Sequence, residues 1–123
     1  MEKKIFIEVS GKTLTAELNE TRTAELFSGT LPSRIIMQRW GDEYYGDIGL
    51  SVEPSEDARA EMEIGELAIW PDGRALCIFF GPTPSSVDEK PRAISPVNPV
   101  GRVLGDVSFL KGLADQIEIE VKY

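Results

Sequence analysis

The chain has 123 residues, 41% hydrophobic and 28% charged, a size and composition that fit one globular domain over residues 1–123 and exclude a membrane-like or disordered chain. A net charge of −8, with no Lys/Arg cluster to offset it, excludes nucleic acid and anionic membrane as expected partners. Histidine is absent, which removes imidazole-based triads and His-ligated zinc, and a single cysteine, Cys77, rules out an internal disulfide framework.

No apolar run follows a basic start at Met1, so no signal peptide is expected, and no stretch of about 18 apolar residues offers a membrane span. With one unpaired thiol, a reducing, cytoplasmic setting is the expectation. Lys4–Val9 and Thr13–Leu18 alternate with period two around Ser10-Gly11-Lys12, which predicts a hairpin. Asn19 or Thr21 then reads as the cap of a two-turn helix over Thr23–Phe27, stopped by a left-handed Gly29. So short a helix cannot stand alone, so Ala24, Leu26 or Phe27 must plug something. Ser33–Trp40 and Glu43–Ile48 read as further strands, and the polar, proline-interrupted Val52–Asp57 reads as a loop.

Gly65–Trp70 and Arg74–Phe80 form the clearest hairpin, turned at Pro71-Asp72-Gly73 with Gly73 expected in the left-handed region. Ala75–Phe80 is apolar on both faces, as a strand covered on each side must be. Gly81–Val100 carries five of the eight prolines and no period, and so predicts a long loop of the kind that often serves function. Val100–Leu104 reads as a strand, Asp106 as the cap of a helical turn through Phe109 and Leu113, and Gln116–Tyr123 as a closing strand. Many strands with one at each terminus predict a mainly β fold, a closed barrel capped by two short helices.

Several segments carry a resemblance: Trp40-Gly41-Asp42-Glu43-Tyr44-Tyr45, Gly65–Pro71, Ala75–Pro84 and Asn98–Val103, in that order along the chain. Together they resemble the small cyclophilin-like barrel family of bacteria and archaea, relatives of the cyclophilin peptidyl-prolyl isomerases. The resemblance covers nearly the whole chain and implies a cyclophilin-like closed β-barrel with helices at its ends. It implies isomerase activity only by analogy of fold. The Phe-His-Arg segment of true cyclophilins is missing here, so no catalytic residue carries over to this sequence.

The candidate ligand-binding residues are Trp40, Glu43, Tyr44 and Phe80, with Thr83, Pro84, Asn98 and Pro99 bracketing the proline-rich loop. Trp40 would be the stacking floor of a pocket and Glu43 the group that holds a polar part of the ligand; otherwise both belong to a packed turn. Trp70 reads as a clamp on its hairpin, and Cys77 as a small buried hydrophobe. The cluster Asp42, Glu43 and Asp47 does not have calcium-loop spacing, so no metal and no cofactor are expected. The leading expectation is a module that binds a small molecule or short peptide in an aromatic-lined groove without strong catalysis. The alternative is a weak or atypical peptidyl-prolyl cis/trans isomerase, in which one arginine hydrogen bond of roughly 1.5–3 kcal/mol would give about a tenfold to hundredfold effect. A homo-oligomer with its aromatic patch against a partner is the third reading.

Overall fold

The computed structural model describes residues 3–123; Met1 and Glu2, where the reading of the amino terminus began, lie outside the described residues. The elements run β1 (Lys3–Val9), β2 (Lys12–Leu18), α1 (Arg22–Ser28), β3 (Ser33–Arg39), β4 (Glu43–Asp47), β5 (Arg59–Glu61), β6 (Glu66–Trp70), β7 (Ala75–Phe79), β8 (Arg92–Leu104) and β9 (Gln116–Lys122). The strands are hydrogen-bonded in the order β2-β1-β9-β3-β4-β7-β6-β8, and β8 pairs back onto β2. The result is a closed antiparallel ring of eight strands, with β5 added outside it on β8. Among the described residues, closure leaves β5 as the one strand bordering an open edge. No described helix is long and apolar enough to cross a membrane.

The period-two segments become the strands that their pattern predicts. Ile5, Ile7 and Val9 of β1 and Leu14, Ala16 and Leu18 of β2 are buried, while their neighbours face outward. Ser10 and Gly11 both take positive φ (49° and 78°), the two-residue turn whose twist matches its strands. The interior is filled by these residues together with Ile35, Met37, Leu67, Ile69, Leu76, Ile78 and Val121. Helix α1 is capped by Thr21, whose side chain accepts from the Ala24 backbone N–H at 3.2 Å. It buries Ala24 and Phe27 in the same core, which supplies the packing that so short a helix needs.

Four expectations need correction, and one strand has no counterpart in the sequence reading. One α-helix is present among the described residues; the second expected helix is a single 3-10 turn at Ser108–Gly112, although Asp106 does accept from the Ser108 N–H at 2.8 Å. Gly29 is right-handed (φ −68°), because its N–H still bonds to Glu25 and Thr30 satisfies the Phe27 carbonyl. In the Pro71–Arg74 turn the left-handed residue is Arg74 (φ 49°), and Gly73 serves instead to admit the Trp70 ring, which an added Cβ would strike. Strand β5 lies in a segment with no readable strand pattern. Lastly, the second part of the predicted loop is strand: β8 begins at Arg92 and runs through Pro96 and Pro99. The prolines are tolerated because β8 changes partners along its length and its register with β6 slips beside Pro99.

Asn98 is the structural knot of that strand. Wholly buried, it donates to the Thr23 hydroxyl (3.2 Å) and the Glu53 carbonyl (2.9 Å) and accepts from the Ser55 N–H (2.9 Å). It therefore ties α1 and the 53–55 loop to the ring. Asn98→Ala orphans three groups at once, and a loss of about 2–4 kcal/mol in urea unfolding is expected. A midpoint equal to that of the parent chain would show that water takes over all three bonds.

Candidate functional site

Strand parity decides which side chains meet outside the ring. On β4, Tyr44 points inward, so Glu43 and Tyr45 point outward. Leu76 and Ile78 of β7 enter the interior, whereas Cys77 and Phe79 join a second, outer core. On β6, Leu67 and Ile69 are interior, and Ala68 and Trp70 are outer. The first half of β8 folds over this outer face with Ala93 and Val97, and Met62 follows β5 into it.

Between that flap and the ring lies a cavity of about 160 Å³, lined by Trp40, Glu43, Tyr45, Trp70, Ala93, Ile94 and Val97. The Tyr45 and Trp70 rings meet edge to face, with centroids 6.2 Å apart and planes at 86°. The Trp70 indole N–H donates to Ser95 Oγ at 2.7 Å, which fixes that wall against the flap. Ile94 stands 63% exposed at the rim.

Trp40 and Glu43 are brought together by the β3–β4 turn. Their backbones exchange both hydrogen bonds (2.8 and 3.2 Å), so they face each other as a pair and present side chains to one face. Gly41 and Asp42 make the two-residue loop, and Gly41 at φ 60° supplies the positive φ that this turn requires at its first position. The turn is seated on Pro82-Thr83-Pro84: a Cβ on Gly41 would lie 2.8 Å from Pro84 Cδ and 2.9 Å from Thr83 Cα. Arg39 fastens it from the other side, donating to the Gly41 (2.8 Å), Lys111 (2.9 Å) and Leu113 (3.2 Å) carbonyls and pairing with Asp42 at 2.9 Å.

Glu43 is the unusual group. It is 5% exposed, and among the described residues no donor reaches its Oε1. Burial pushes its carboxyl up to about 7, with the neighbouring Cys77 thiol acting weakly in the other direction. The thiol itself is raised well above its usual value, first by burial and then by Glu43, so it is not a nucleophile at neutral pH. A carboxyl poised near neutrality in an apolar cavity is the kind of group that marks a functional site.

Of the residues singled out in the sequence, Trp40 and Glu43 line this cavity. The other six do not. Tyr44 and Phe80 are interior, stacked on each other at 5.4 Å, with the Tyr44 hydroxyl donating to the Ala114 carbonyl at 2.5 Å. Thr83 is buried and bonded to the Arg92 carbonyl and to Ser86. Pro84 supports the Gly41 turn, Asn98 is the knot described above, and Pro99 accepts from the Asn19 side chain at 3.1 Å. Tyr45, Trp70, Ala93, Ile94 and Val97 were not in that set. The first two could have been found by counting parity from Glu43 along the hairpins.

A closed antiparallel ring, a flap made by the strand that closes it, and a small cavity between them define a small β protein with its pocket on the outer face. The chain belongs to the Cyclophilin-like family, whose family model matches residues 3–122. It is similar to the hypothetical protein AF2241 from Archaeoglobus fulgidus, whose solution structure shares 35% sequence identity at a TM-score of 0.81. That match covers 98% of this chain and 94% of the archaeal one. No curated protein matches the chain.

Proposed function

We propose that this chain is a binding protein that takes one small apolar or single-ring group, from a small molecule or a short peptide, between Trp40 and Trp70 without strong catalysis. The carrying observation is the outer cavity itself: about 160 Å³, walled by three aromatic and three aliphatic side chains. That volume is close to the engineered cavity of about 150 Å³ that accepts benzene, and well under the roughly 300 Å³ at which drug-sized pockets begin. A single ring that buries about 100 Å² of apolar surface gains roughly 2.5 kcal/mol, so isolated fragments are expected to bind with dissociation constants of about 10–20 mM.

Prolyl isomerisation finds less support. It asks for a donor to the prolyl amide beside the apolar pocket, and none of the seven lining residues is an arginine or lysine. Arg39, the nearest arginine along the chain to Trp40, is committed to three carbonyls and Asp42.

The test is NMR titration with benzyl alcohol and N-acetyl-prolinamide up to about 100 mM. Saturable shifts of the Trp40 and Trp70 indole N–H resonances are expected, with no acceleration of prolyl exchange. Unmoved indole signals throughout would end the reading.

A further inference from the structure

We propose that the outer cavity is a cage for an alkylated ammonium cation, with Trp40, Tyr45 and Trp70 as its aromatic walls and the buried Glu43 carboxylate as its counter-charge. The inference deepens the binding reading above and rests on it.

Three independent features converge on this ligand class. Tyr45 and Trp70 stand at 86° to each other, so they offer two walls at right angles, as a cage around a rounded cation requires, and Trp40 adds a third ring. Attraction of a cation to aromatic faces strengthens when water is excluded, and indole is the best of the faces. Glu43 brings a carboxyl oxygen, Oε1, that is buried and without a donor among the described residues. Hydrogen bonding by an N–H ligand would satisfy that oxygen, but the remaining lining is apolar, which favours a cation whose surface is itself methyl groups. The chain as a whole carries a net charge of −8, so a cation is also drawn toward it from solution.

The size agrees. A cavity of about 160 Å³ holds a tetramethylammonium-like head, and the open rim at Ile94 leaves room for whatever the head is attached to. Two sources share this chemistry: a free quaternary amine, and a methylated lysine side chain on another protein.

Ionisation of Glu43 couples binding to pH. The carboxyl sits at about 7 when the cavity is free, so the cation binds the ionised form and displaces a proton below that point. The groups that face it support a one-proton transition. Cys77 on β7 is raised far out of range, β6 presents Trp70, and β8 presents Ala93, Ile94 and Val97. Tyr45 is on its own strand, and the neighbouring Asp42 is held by Arg39 and Lys111.

The experiment compares tetramethylammonium chloride with its neutral near-isostere 3,3-dimethyl-1-butanol, read by the Trp40 and Trp70 indole resonances, at constant ionic strength adjusted with sodium chloride. At pH 8 the cation is expected to bind about tenfold tighter than the alcohol. Its affinity should fall by up to about tenfold in total as pH drops from 8 to 5 and level off near that of the alcohol, which itself stays level. In Glu43→Gln the preference for the cation should collapse toward one, and Trp40→Leu should weaken the cation with a folded spectrum retained. A trimethyl-lysine peptide binding tighter than the free ion assigns the source to a protein side chain; weaker binding assigns it to a free amine.

Equal affinity for cation and alcohol, or a cation preference that survives Glu43→Gln, overturns the cage while leaving the apolar pocket in place. If neither probe moves the indole signals, the cage and the pocket reading fall together.

Discussion

A Gly101→Ala chain is expected to lose a large share of its folding stability. Gly101 is where the ring closes: it pairs with Leu18 of β2 on one side and with Leu67 of β6 on the other. A Cβ there would overlap the Glu17 carbonyl oxygen and lie 3.0 Å from both the Glu17 carbonyl carbon and Leu18 Cα. All three are backbone atoms, so no rotamer change can relieve the contact. The relief available is to draw β2 away from β8, which breaks the pairing of Thr15–Leu18 with Gly101–Leu104 and reopens the ring. A cost of about 3 kcal/mol or more is expected, against a total of roughly 5–15 kcal/mol for an ordinary domain. Thermal unfolding followed by circular dichroism checks it. A midpoint within about 3 °C of the parent would mean that the strands re-space without losing their pairing.

The second large effect is on stability as a function of pH, and it comes from Glu43. A carboxyl raised in the folded state binds its proton more tightly there than in the unfolded chain. Its contribution is therefore favourable below about 4.5 and is lost as pH rises to 7, where the folded carboxyl ionises in a place that solvates it poorly. The rise from 4.5 to about 7, at about 1.4 kcal/mol per pH unit, corresponds to ~3 kcal/mol. Glu43→Gln keeps the shape and removes the titration. At pH 4 the variant should be no more stable than the parent, since its amide adds donors that the cavity does not match. By pH 8 it should be ahead by about 2 kcal/mol, roughly 8 °C in melting temperature for a chain of this size. Parallel melting curves for the two proteins from pH 4 to 8 would show that the carboxyl is solvated after all.

Much of the fold was legible because its strands are half-buried and therefore alternate. Both hairpins, β1–β2 and β6–β7, could be read to within a residue or so from the pattern Ile5, Ile7, Val9 and from the doubly apolar Ala75–Phe80. What failed was proline-rich or polar sequence whose pairing is long-range. Pro96 and Pro99 disguise a strand that is stabilised by three different partners, and Arg59–Glu61 is a strand only because β8 passes beside it. The candidate site was half legible for a different reason. Glu43 and Tyr44 are adjacent in a strand and so cannot share a face; grouping them mixed an outer residue with an interior one. Strict alternation from Glu43 leads to Tyr45, and across the neighbouring hairpin to Trp70 rather than Phe80. The distribution of prolines pointed at the right segment, but β8 contributes to the pocket as a paired strand and not as a loop.

Strand β7 is a party wall. Its even-numbered residues Leu76 and Ile78 serve the ring, and its odd-numbered Cys77 and Phe79 back the outer chamber. Substitutions at Tyr45 of β4, Cys77 and Phe79 of β7, and Ala93, Ile94 and Val97 of β8 can therefore remodel what the chamber accepts without repacking the interior that holds the molecule together. A designer, or selection, can change the tenant of this scaffold while leaving its foundations alone.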